Sequence, residues 1–480
     1  MTGRTEQSYI RNKPGKEDGT VKTENSSHAG CLQRDSVERE GYAGALSAIA
    51  QEAEETEGAL LARILDRDNL NRAYKRVKVN KGAPGIDGRS IEETFVWLKE
   101  HGKELVEQIR AGKYKPSPVR RKEIPKPDGG VRKLGIPTVT DRIIQQAIAQ
   151  QVMSIYEPLF SDGSYGYRPG RNAQQAVQKV KEYAEQGYKF AAMLDLSKYF
   201  DTLNHELLMN LLRRQIRDKQ VILLIKKYLK SGVMEKGVKV RTEEGSPQGG
   251  NLSPLLANVY LNEFDQEFAR RGVKVVRYAD DIVLLAKSQR AAERLLESSC
   301  RYLEKKLKLK VNREKSRTVS VYAIRNFKYL GFAFGKGKAG VFIRAHAKSL
   351  KKAKEKLKEL TSRSQGRNVR VVMQNVKTYM QGWLGYFRIA SMKQTMQSWN
   401  EWLRRRIRMY IWKQWKKPKT KVTNLKKLGI PDEKAHEWGN TRLGYWRISN
   451  SPVLKCSITN ERLARAGYFD ILSKYESMRL

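Results

Sequence analysis

Two adjacent acids, Asp280 and Asp281, stand between the runs 273–278 and 282–286. Both runs are rich in β-branched and apolar residues, so they read as strands of a hairpin with both carboxylates at its tip. Neighbouring carboxylates repel unless water or a cation lies between them, and such a pair taken alone is usually a solvated turn. A third acid, Asp195, follows the apolar run 190–194 and precedes a helix expected over 204–216. Carboxylates from separate strands are what two divalent ions about 4 Å apart need in order to stabilise the attacking and leaving oxygens of an in-line phosphoryl transfer. Hard oxygen donors favour Mg²⁺. Asp195, Asp280 and Asp281 are therefore the candidate catalytic residues and the candidate ligands of two Mg²⁺ ions. The turn 245–254, with Gly245, Gly249, Gly250 and Pro254, lets backbone approach a ligand closely, and either Asn251 or Ser253 could cap the helix after it.

The elements that must position these residues fall into distinct stretches. Residues 1–42 are polar and read as a disordered tail. Apolar residues at helical spacing predict a helix over 43–76, and the stretch 82–88 breaks it. From there to about 335, short β-rich runs alternate with helical ones, which predicts an α+β domain. Long helical patterns follow over 345–361, 369–386 and 397–415, then a short mixed segment, 421–480. Seven of the eight tryptophans lie at or after Trp383. At their helical spacing, Trp399, Trp402, Trp412 and Trp415 read as packing residues first and base-stacking residues second. The cysteines Cys31, Cys300 and Cys456 are too far apart in sequence to read as a zinc motif.

Charge narrows the partners. The formal net charge is +43 and the pI about 10.1. Residues 301–420 hold 33 Lys/Arg and five Asp/Glu, which concentrates about two thirds of the excess in one quarter of the chain. That is an electrostatic footprint for a polyanion. No apolar run is long enough to span a bilayer and no apolar signal-peptide core is present, so a cytoplasmic, nucleoid-associated location and no membrane partner are expected.

The motifs together resemble the reverse transcriptases of bacterial group II introns. Tyr278-Ala279-Asp280-Asp281 resembles the YxDD box of that family, Asp195 with Phe200 its first acidic box, and Ser246-Pro247-Gln248-Gly249 its nucleotide-pocket loop. Residues 80–88 (NKGAPGIDG), 124–137 (IPKPDGGVRKLGIP), 164–171 (SYGYRPGR), 309–316 (LKVNREKS) and 327–332 (FKYLGF) are similar to the maturase branch, in the same order. The resemblance runs from about residue 60 to the C-terminus.

It implies a right-hand polymerase with fingers and palm over 43–335, a helical thumb or maturase domain over 336–420 and a small DNA-binding module over 421–480. The metal ligands correspond to Asp195, Asp280 and Asp281. Phe200 falls where the family keeps an aromatic against the sugar, Gln248 matches the pocket glutamine, and Lys126 and Arg132 match residues that grip the triphosphate. Lys315 falls where a lysine either protonates the leaving pyrophosphate or only contacts phosphate. The thumb-like helix offers Arg404, Arg405, Arg406 and Arg408 to RNA or DNA phosphates. The implied partners are group II intron RNA, template RNA, primer or target DNA and deoxynucleoside triphosphates, acting on a monomer or homodimer. The paired cysteines and histidines of an HNH endonuclease do not occur, so the resemblance is to the endonuclease-lacking, group IIC-like lineage.

Overall fold

The computed structural model describes residues 58–125, 130–235, 238–240, 243–246 and 249–479. The expected tail 1–42 lies outside the described residues, as do Lys126 and Gln248. The described chain divides into two compact units, one ending at Ser320 and one beginning at Val321.

In the first unit, the described part of the helix expected over 43–76 is two helices, α1 (Ala59–Ile64) and α2 (Arg67–Val79). Asp66 makes the break. Its carboxylate accepts from the amides of Asp68 and Asn69, an N-cap that restarts the helix. Next comes α3 (Ile91–Arg110), opened by a capping box between Ser90 and Glu93. Strands β1 (Val119–Pro125) and β2 (Val131–Ile136) form a hairpin, and α4 (Val139–Tyr156) follows, buried along most of its length. Then come α5 (Ala173–Glu185), β3 (Phe190–Leu194), α6 (His205–Arg213) and α7 (Lys219–Leu229). Two three-residue strands, β4 (Val233–Glu235) and β5 (Val238–Val240), precede α8 (Ser253–Arg270). The unit closes with β6 (Lys274–Tyr278), β7 (Asp281–Ala286), α9 (Gln289–Lys305) and β8 (Arg317–Ser320).

Two four-stranded sheets result. One has the order β2-β1-β4-β5 and the other β6-β7-β3-β8. The second is antiparallel throughout. Residues 282–286 are all buried, as are Ala191, Ala192 and Leu194. An apolar run without alternation is a strand covered on both faces. Here α9 packs on β3, β7 and β8, while α5 and α8 pack against β6. Neither Asn251 nor Ser253 caps α8. Leu252 holds that position without a side-chain bond, and Pro254 supplies a residue that needs no amide partner. Asn251 instead donates to Gln146, and Ser253 accepts from Ser246.

The second unit contains the hairpin β9 (Phe332–Gly337) and β10 (Gly340–Ala345), then α10 (Ala347–Leu360), α11 (Val369–Phe387) and α12 (Lys393–Gln414). Short helices from Pro418–Lys427 to Ile471–Ser477 complete it. The boundary expected after residue 335 falls at Ser320, because the hairpin belongs with the helices. The Ser391 amide donates to the Ile343 carbonyl at 2.7 Å, and the Phe332 ring lies 4.8 Å from that of Phe387. Residues 421–480 likewise do not stand apart. Val372, Tyr410 and Trp412 share one core with Leu425, Ile448 and Leu454. Trp399 and Trp412 are buried, which gives both a packing role.

Asp218 illustrates how local and tertiary bonds combine. It caps α7 through the amides of Gln220 and Val221, and its other oxygen accepts from the Leu61 amide of α1 at 2.9 Å. Asp218→Ala removes the cap and leaves a buried amide unpaired. The expected loss is roughly 2–3 kcal/mol, read as a lower urea midpoint at unchanged slope.

Candidate active site

The hairpin between β6 and β7 turns in two residues, with Tyr278 paired to Asp281. Ala279 takes the first turn position with φ 57°, where a hairpin normally uses glycine. The structure holds this unfavourable conformation from two sides. The Arg277 guanidinium donates to the Ala279 carbonyl at 3.0 Å. Gly166 lies so close beneath that any Cβ there would collide with the Ala279 amide. The segment around Gly166 runs beside β6. Tyr165 donates to the Arg277 carbonyl and Arg277 donates to the Gly163 carbonyl, each at 2.8 Å.

Arg277 has no exposed surface and pairs with Asp265 of α8, itself 1% exposed, at 2.6 Å. It also donates to Asn258 at 2.9 Å and to the Ser164 hydroxyl at 2.7 Å. Asn258 in turn donates to the Gly166 carbonyl at 2.7 Å. None of the sequence motifs points to this group. The available signal was a charge inside each of two apolar segments, Arg277 in β6 and Asp265 between Phe264 and Phe268, since buried charges require partners.

Asp195 follows Leu194, which pairs with Ile282 of β7, so the next step along the sheet brings Asp195 to the level of Asp281. The register therefore brings the backbone of the three expected acids to one end of one sheet. Asp195 and Asp280 are half-buried and Asp281 is exposed. Among the described residues, no three acidic, histidine or cysteine side chains close into a cluster that holds an ion. The donor set is all carboxylate oxygen, which fits a hard divalent ion. The backbone of Asp195 is fixed independently. Its amide donates to the Ser316 hydroxyl at 3.0 Å, and its carbonyl accepts from the Asn312 amide at 2.8 Å. Asn312 also caps the turn through the Lys315 amide at 3.2 Å, so exposed Lys315 stands in the turn bonded to Asp195.

Phe200 lies in the 3₁₀ turn Tyr199–Asp201 and is 6% exposed. Its carbonyl accepts from the Ser246 amide at 2.6 Å, which joins the first acidic segment to the glycine-rich loop. On the far side of that loop, Gly249 lies against the Gly135 carbonyl of β2. This brings the strand bearing half-exposed Arg132 to the loop.

Two of the four thumb-like arginines, Arg406 and Arg408, turn inward, which takes them out of the expected phosphate-binding set, and Arg404 and Arg405 are half-buried. Arg406 and Arg408 are 9% and 8% exposed. Arg406 donates to the carbonyls of Lys358 and Thr361, and Arg408 to the Ile458 carbonyl and to Asn460. Arg404 pairs with Asp470 at 2.6 Å. Arg405 lies 3.7 Å over the Trp446 ring and donates to the Trp446 carbonyl. These side chains hold the unit together, and their fork-shaped donors suit carbonyl-rich interiors. Exposed cations lie instead on α10, at Lys348, Lys351, Lys352, Lys354 and Lys358.

An antiparallel sheet with acids at one hairpin tip and at the adjoining strand end, facing a glycine-rich loop, defines a nucleic-acid polymerase palm. Residues 124–334 match the family Reverse transcriptase (RNA-dependent DNA polymerase), and residues 350–429 match Group II intron, maturase-specific domain. The chain is 35% identical over 298 residues to Protein YkfC of Escherichia coli (strain K12), covering 54% of this chain and 78% of that protein. It is 39% identical over 196 residues to Group II intron-encoded protein LtrA of Lactococcus lactis subsp. cremoris, 40% of this chain and 32% of LtrA. It is 34% identical over 195 residues to the Putative COX1/OXI3 intron 2 protein of Saccharomyces cerevisiae (strain ATCC 204508 / S288c), 40% of this chain and 23% of that protein. The matches thus span a third or less of those two intron proteins. The chain belongs to the group II intron reverse transcriptase and maturase family.

Three variants test the bonding inside the palm and inside the second unit. Asp265→Ala leaves a buried guanidinium unpaired and should destabilise the protein by about 3–5 kcal/mol in chemical denaturation. The double variant Asp265→Leu with Arg277→Met should recover most of that stability, yet it still lacks the bond to Ala279 and should extend primers poorly. Arg406→Ala should lower stability by roughly 1–3 kcal/mol while leaving the salt dependence of RNA binding, followed by filter retention, unchanged.

Proposed function

We propose that this protein is the RNA-directed DNA polymerase of a mobile group II intron, and that it also binds the parent intron RNA as a maturase that aids splicing. On this reading it copies the intron by target-primed reverse transcription, with deoxynucleoside triphosphates as substrates. The observation that carries the reading is the register that sets Asp195 beside the tip bearing Asp280 and Asp281.

Asp195, Asp280 and Asp281 would hold two Mg²⁺ ions, which supply Lewis-acid stabilisation of the attacking and leaving oxygens. The remaining work falls to the chain's own groups. Arg277 and Gly166 keep the tip in one conformation, so the carboxylates need little reorganisation when substrate arrives. Lys315 stands in the turn bonded to Asp195, where its ammonium can meet phosphate oxygens or give a proton to the departing pyrophosphate. Arg132, with Lys126, would bind the triphosphate from the β1–β2 hairpin. Phe200 and Gln248 would border the sugar and the base, and a ring at that place excludes a ribose 2′-hydroxyl.

The maturase role rests on electrostatics. The Lys-rich exposed face of α10 offers point charges that match a phosphate backbone, with counterion release as the driving term. The splicing chemistry would belong to the RNA, and the protein would contribute binding free energy that stabilises the active RNA fold.

Primer extension on an RNA template separates the two roles. Asp280→Ala should lower DNA synthesis by roughly 10³-fold, the several kcal/mol that lost metal ligation costs, with intron RNA affinity within about twofold of the parent. That affinity should itself fall on the order of 10³-fold between about 50 and 200 mM salt. Undiminished synthesis by the Asp280→Ala variant would sink the palm assignment.

A further inference from the structure

His205 opens α6 and is 7% exposed. Its Nε2 lies 2.6 Å from the Gly245 carbonyl, while its Nδ1 is buried without a partner. A carbonyl only accepts, so the hydrogen sits on Nε2 and the ring donates. An orphaned buried acceptor costs roughly 1–3 kcal/mol, a penalty that leucine at this position would avoid. The ring's polar bonding is therefore carried by its other nitrogen. Burial also holds the imidazole below its usual pKa, against the opposing pull of the Gly245 bond, so it stays a neutral donor.

That single bond closes a short clamp. Gly245 donates to the Leu203 carbonyl at 2.8 Å and Ser246 donates to the Phe200 carbonyl at 2.6 Å. Asn204 and Glu244 form a β-bridge beside them. The approach is so close that a Cβ on Gly245 would lie 2.7 Å from the Asp201 carbonyl oxygen and 2.8 Å from that of Phe200. Gly245 has φ 86°, so both the conformation and the space require glycine. The backbone that carries Phe200 is thus held by segment 244–246, and among the described residues His205 supplies the side-chain donor to the Gly245 carbonyl in this contact.

We propose that His205 is a positioning residue for sugar selection: its Nε2–H bond to Gly245 fixes the backbone of Phe200, so preference for deoxynucleotides over ribonucleotides depends on it. This rests on the polymerase reading above. His205 touches no substrate in this scheme and acts through Gly245 and Ser246.

The test compares the full chain with His205→Leu, which loses the donor, and His205→Gln, whose Nε2 amide can reach the same carbonyl. Single-nucleotide incorporation is measured with a dNTP and the matching rNTP. His205→Leu should raise KM for the dNTP about tenfold and cut the dNTP-over-rNTP preference about tenfold, with kcat within roughly twofold, and His205→Gln should stay within about threefold of the parent. Amide hydrogen exchange gives a second readout that needs no activity. Protection of Ser246 should fall in His205→Leu and persist in His205→Gln. Unchanged selectivity and KM in His205→Leu would overturn the proposal, as would equal impairment of both variants, which would reduce His205 to packing. A parent protein that incorporates neither nucleotide would instead overturn the polymerase reading. Exchange at Ser246 would then decide the clamp by itself, and equal protection in all three proteins would reject it.

Discussion

A guanidinium sealed inside the palm organises the acidic edge. Arg277 joins strand β6 to α8 through Asp265 and Asn258, to the loop before α5 through Ser164, and to the hairpin tip through the Ala279 carbonyl. A buried ion pair by itself is weak evidence for stability, because desolvation offsets the attraction. What this one supplies is direction. A planar cation with donors on several edges fixes elements distant in sequence at defined angles. A positive φ at a non-glycine turn residue costs about 1–3 kcal/mol and persists only where its surroundings over-determine it. Arg277 above and Gly166 below do so for Ala279.

The third acid reaches the same edge by a separate route. The backbone of Asp195 is held by Ser316 and Asn312. The antiparallel ladders bring the backbone of all three acids to one end of the same sheet. The turn carrying Lys315 and the turn carrying Phe200 are both bonded to this strand end or to its continuation. One short segment, 195–205, therefore meets the acidic edge, the basic turn and the glycine-rich loop.

In the second unit the cations divide by chemistry. Arginines of α12 turn inward, onto the carbonyls of Lys358, Thr361 and Ile458 and the carboxylate of Asp470. Lysines of α10 stay in water. Guanidinium is weakly hydrated and offers a rigid fork, so it tolerates burial among acceptors, whereas ammonium is strongly hydrated and stays at the surface. A run of arginines with a high local charge is thus an unreliable pointer to nucleic acid, since the helix that carries it can use most of it internally.

Sequence alone marked the candidate chemistry: which acids, in which order, with what strand-forming flanks, and which motifs mark the family. It did so because the hairpin and its carboxylates are local, with the strand period and the turn both written in adjacent residues. It also determined the helical character of the region after 345 and the packing role of Trp399 and Trp412. Tertiary structure alone decided which charges face inward, why Ala279 can hold its conformation, and that residues 421–480 share a core with α12. It also revealed His205 and Arg277 as supports of the site, and it divided the chain at Ser320, well before the break in composition. Many of those outcomes depend on bonds between residues far apart in the chain, such as Arg277 with Ser164 and His205 with Gly245. Desolvation makes each such partnership obligatory once the chain has folded, and nothing in the order of residues states who the partner will be.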